Sequence, residues 1–110
     1  MVQNTIDKIE KKIRANMSLT VKNKTELLDL LATMKPEIAK LMETQTEHAE
    51  SIARFIELST HEVMRQEKNP TLLNIAVDGL SASVKGFEES HPKLVENVNY
   101  IASALANMGI

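Results

Sequence analysis

Residues 25–67 read TELLDLLATMKPEIAKLMETQTEHAESIARFIELSTHEVMRQE, and the spacing of apolar residues in this stretch decides the fold class. From Leu27 one row steps by four and then three residues through Leu31, Met34, Ile38, Leu41, Gln45, His48, Ile52, Phe55, Ser59 and Glu62. A second row recurs every seven residues through Leu28, Lys35, Met42, Ala49, Ile56 and Val63. Steps of three and four put side chains on one face of an α-helix, whereas a strand needs strict alternation, which appears nowhere for long. Pro36 offers two readings: a kink in one helix, or the first turn of a new one. The register held across Pro36 favours one helix from about 25 to 67, roughly 65 Å long at 1.5 Å per residue.

The same spacing continues on either side. Val2, Ile6, Ile9 and Ile13 form the stripe of an N-terminal helix over about 2–17, with Lys8, Lys11, Lys12 and Arg14 among its polar positions. Asn69 before Pro70 is a helix start, a cap residue followed by a proline whose missing N–H costs nothing there. Leu73, Val77, Leu80, Val84 and Phe87 then stripe a helix over about 70–89, flanked by the small residues Ala76, Gly79, Ser83 and Gly86, a row along which a neighbouring helix can come close. A last helix over about 92–108 carries Leu94, Val98, Ile101, Leu105 and Met108 and stops at Gly109. The expected fold is all-α: a single domain over residues 1–110, an elongated amphipathic bundle packed like an antiparallel coiled coil.

A 110-residue chain can bury only one modest core. With 3% aromatics and no Trp, that core is aliphatic, as in helix bundles. No Cys is present, which excludes disulfides and thiolate chemistry and suits a reducing compartment. The first residues lack the apolar run of a signal peptide, and no stretch approaches a membrane span, so the expected location is cytoplasmic. The net charge of −2 is unevenly spread: residues 1–24 hold Lys8, Lys11, Lys12, Arg14, Lys22 and Lys24 against Asp7 and Glu10, and the remainder is acidic.

Phe87-Glu88-Glu89-Ser90-His91-Pro92-Lys93-Leu94, followed by Ala104-Leu105-Ala106-Asn107-Met108-Gly109-Ile110, resembles the closing signature of a small helical family, domain of unknown function 4404. The resemblance implies a bacterial source and a helical chain, and brings no activity or functional residues. Members of the family are usually shorter, which points to residues 40–68 as an extension.

Site chemistry is sparse. His61 follows Glu57 by one turn, and Glu88 with His91 makes one Glu-x-x-His, but a metal site in a bundle needs more ligands. His91 reads as part of a helix start. No nucleophile elbow and no glycine-rich phosphate loop occurs. The expectation is therefore a non-enzymatic protein without catalytic residues, metal or cofactor. A 65 Å helix would leave an apolar seam that its short neighbours cannot cover, so a homodimer is expected on Leu31, Ile38, Leu41, Ile52, Phe55 and Ile56, dissociated by Asp at Ile52 or Phe55. Gln45 and His48 interrupt that seam as a polar layer able to specify register or partner. The alternative function is a peripheral contact with anionic membrane or nucleic acid through Lys8, Lys11, Lys12 and Arg14; the missing aromatic anchor and the diluting Asp7 and Glu10 weigh against both.

Overall fold

The computed structural model describes residues 2–109, the side chain of Val2 excepted; Met1 and Ile110, which bracket the first stripe and the C-terminal motif, lie outside the described residues. Five helices follow in order: α1 (Val2–Ala15), α2 (Val21–Thr44), α3 (Thr46–Val63), α4 (Pro70–Ser83) and α5 (Pro92–Met108). No strand occurs among the described residues, so the fold is all-α.

The expected single long helix is instead two. The molecule measures 37 × 25 × 21 Å, far too short for a 65 Å rod. α2 alone, about 36 Å at 1.5 Å per residue, spans its long axis. Pro36 does not break it: α2 runs through, with Pro36 and Ala32 both exposed, so the carbonyl that proline leaves without a donor can be reached by water. The break falls at Gln45, whose backbone departs from helical geometry (φ −135°, ψ 64°). There the hydroxyl of Thr46 donates to the Met42 carbonyl at 3.0 Å, the acceptor that the Thr46 N–H would serve in a continuous helix.

Local chemistry sets the other boundaries. Asn16 Oδ1 accepts from the N–H groups of Ser18 (2.8 Å) and Leu19 (2.9 Å), ending α1 in a turn. Thr20 caps α2 by accepting from the Asn23 N–H at 3.0 Å, which starts this helix four residues before the expected Thr25. Asn69 Oδ1 accepts from the Leu72 N–H at 3.1 Å, with Pro70 in the first turn of α4, as its sequence foretells. α4 ends at Ser83 instead of near 89 because Gly86 takes a left-handed backbone (φ 95°) that terminates helical continuation. The Gly86 N–H then donates to Glu88 at 2.8 Å, tightening the link to α5.

Packing places α2 against α3 and α5, α3 against α4, and α4 against α5, a closed ring of four helices; α1 touches only α2 and α3. Contacts between residues 55 and 79 and between residues 48 and 87 run in opposite chain directions, so α3 and α4 form an antiparallel hairpin. The small-residue row works as expected where α3 meets α4. A Cβ on Gly79 would sit 2.3 Å from the Phe55 ring, so this close approach requires glycine. The core is aliphatic, built from Ile6, Ile9 and Ile13 of α1 together with the stripes of the other four helices.

Candidate functional site

The expected dimer seam lies inside one chain. Leu31, Ile38, Leu41, Ile52 and Ile56 have no exposed surface, and Phe55 is partly buried against Gly79. The stripe expected to lie uncovered on a long helix is buried because the chain turns at Gln45 and folds its own helices over it. Gln45 and His48 are both exposed, so they do not form a layer within a seam: Gln45 is the break itself, and His48 lies in the first turn of α3. The His48 ring meets Phe87 edge to face with centroids 5.0 Å apart, and Phe87 meets His91 in the same way at 5.9 Å. Beside this cluster an open cleft of about 370 Å³ separates the start of α3 from the end of α4, walled by Glu47, His48, Ser51, Phe55, Gly79 and Lys85. Among the described residues no three His, Asp or Glu side chains come together as a metal ligand set.

Lys8, Lys11, Lys12 and Arg14 are all exposed on α1. Their acidic neighbours are engaged elsewhere: Lys35 Nζ of α2 reaches Glu10 at 2.6 Å and Asp7 at 3.0 Å. The hydrogen bonds to Glu10 first and Asp7 second hold the Lys35 ammonium above its ordinary pKa. None of the four basic side chains makes an ion pair among the described residues. The cross-helix pairs of α1 use its carboxylates, and its four cations face solvent.

One exposed apolar surface, on the hairpin of α3 and α4, is absent from the expectations drawn from the sequence. α4 carries a single charged residue, Asp78, in its fourteen, yet Leu72 and Ile75 point outward, Ile75 with 60% of its surface exposed. Leu58 of α3 is exposed as well. Antiparallel pairing through Phe55 and Gly79 puts Leu58 and Ile75 about one turn along on the same side of the hairpin. The available signal was an apolar residue off the stripe, twice, in a helix almost without charge.

The family model described as Domain of unknown function (DUF4404) matches residues 24–110. The chain belongs to this family. No curated protein and no solved structure matches it. In this DUF4404 chain the match takes in residues 40–68, and the residues outside it are those before 24, which comprise α1, its link and the first turn of α2. No helix among the described residues is long and apolar enough to cross a membrane.

Proposed function

We propose that this DUF4404 domain is a cytoplasmic helical interaction module without chemistry of its own, and that it self-associates as a homodimer through the outer face of α4. The observation that carries this reading is the exposed apolar surface of Leu58, Leu72 and Ile75 around the least charged helix. Exposed apolar side chains grouped beside a helix with a single charge form a surface that a partner can cover. A second copy suits the surface because the face is self-complementary. When two α4 helices cross antiparallel at Ile75, Asp78 of each approaches the N-terminal turn of the other, where a carboxylate complements the helix dipole.

The chain has no Cys, so Ile75→Cys supplies a single reporter thiol. Mild oxidation is expected to give a disulfide-linked dimer. Light scattering coupled to size exclusion is expected to show a concentration-dependent dimer, with Ile75→Asp raising its dissociation constant at least tenfold while the helical circular dichroism stays unchanged. A wild-type mass that stays at one chain up to millimolar concentration removes this reading.

A second reading rests on the four exposed cations of α1, none of them in an ion pair among the described residues. The isoleucine stripe of α1 is buried in the core, so the helix cannot insert into a bilayer and any contact is electrostatic. Binding to duplex DNA or to phosphatidylserine vesicles at low salt is expected to fall at least tenfold on replacing Lys8, Lys11 and Lys12 by Gln, with a shallower salt dependence. Binding that survives the triple substitution assigns the contact to another surface.

A further inference from the structure

We propose that the groove between α2 and α3 is a helix-receiving surface, which takes α1 of its own chain and, in trans, the same segment of a second copy. Three observations single α1 out. The other four helices close a ring among themselves, while α1 rests on one edge of it and touches neither α4 nor α5. The family match begins at residue 24, after α1 and its link. The link from Asn16 to Thr20 passes over the surface, and its Met17 is 95% exposed.

The seat reads its occupant by a simple code. Ile6, Ile9 and Ile13, stepping by three and four, drop into the groove with essentially no remaining exposure. On the flank, Asp7 and Glu10 at i and i+3 converge on the single ammonium of Lys35. An amphipathic helix without that carboxylate pair would leave the partly exposed Lys35 ammonium without its two partners, so the seat favours helices of the α1 type. A second copy carries the code by identity. The short link holds the resident helix at an effective concentration in the millimolar range, so a helix arriving in trans gains the seat only when the resident is weakened. A free fourteen-residue helix is marginal in water, so the incoming segment orders as it docks.

The test uses the full chain and a fluorescent synthetic peptide of residues 1–19. The chain carrying Asp7→Lys and Glu10→Lys sets its own α1 against Lys35, and it is expected to bind the wild-type peptide at least tenfold more tightly than the wild-type chain does. Reversing the charges must reverse the preference: the peptide with the two Lys substitutions is expected to favour the Lys35→Glu chain. Equal, weak binding to all chains, with their helical circular dichroism intact, overturns the proposal. So does collapse of helical structure in the charge-reversed chains, because α1 would then be inseparable from the ring. The peptide does not involve α4, so failure here leaves self-association through Ile75 standing.

Discussion

Asp at Ile52 is expected to abolish the folded state, not to release a partner. Ile52 has no exposed surface and sits on α3 in the core. Removing its side chain from the core forfeits about 1.5–3 kcal/mol of apolar burial. The carboxylate that replaces it finds no cation at an apolar position, and an unpaired buried charge costs at least several kcal/mol more. Together these terms rival the roughly 5–15 kcal/mol by which a domain of this size is stable. Urea titration followed by far-ultraviolet circular dichroism is expected to show no cooperative transition in Ile52→Asp. Ile75→Asp, the same chemical change on an exposed residue, is expected to unfold at nearly the wild-type midpoint. Equal behaviour of the two variants would contradict the placement of α3 in the core.

The second large effect belongs to Lys35. Glu10 is only 7% exposed, and Lys35 is the cation that reaches it, at 2.6 Å. Lys35→Met strands that carboxylate and leaves Asp7 beside it. Breaking a fully buried pair typically costs about 3–5 kcal/mol, but the Lys35 and Asp7 side chains keep 31% and 55% of their exposure, so solvent screening reduces the expected loss to about 2 kcal/mol. The pH dependence has a definite sign. The folded state holds the Lys35 ammonium above its ordinary value of 10.5, chiefly through the hydrogen bond to Glu10 and then that to Asp7. Its contribution is therefore complete below about 10.5 and disappears as pH climbs through the raised value. Denaturant titrations at pH 8 and pH 11 are expected to show the gap between wild type and Lys35→Met narrowing at the higher pH. A gap that stays constant would mean that the ammonium does not stabilise α1 on α2.

The helical stripes were legible residue by residue: Ile6, Ile9 and Ile13, then Leu73 and Leu80, then Leu94, Val98, Ile101 and Leu105 all point into the core. Asn69-Pro70 marked a true helix start because its chemistry is local. The failure came at Gln45. Constant phase from Leu41 to Ile52 looked like one rod, yet a single-residue link also preserves phase, since both helices pack the same stripe on the same core. Periodicity therefore reports which face is buried and is blind to whether the axis turns. A proline at an exposed position costs one hydrogen bond that water can replace, so α2 runs through Pro36, whereas the chain turns at Gln45, where no proline or glycine marks the break. The α4 surface lay hidden because Leu72 and Ile75 stand next to stripe residues in the sequence, and composition alone does not say which side of a helix its neighbours cover.

The placement of α1 across α2 and α3 also sets an order of events during synthesis. α1 is made before α2 and α3, and its seat is complete only when the chain has been extended to the end of α3. At about 5–20 residues per second this takes several seconds. Throughout that interval α1 of the nascent chain has no complete seat, and its isoleucine stripe is open to chaperones and to neighbouring copies on the same message.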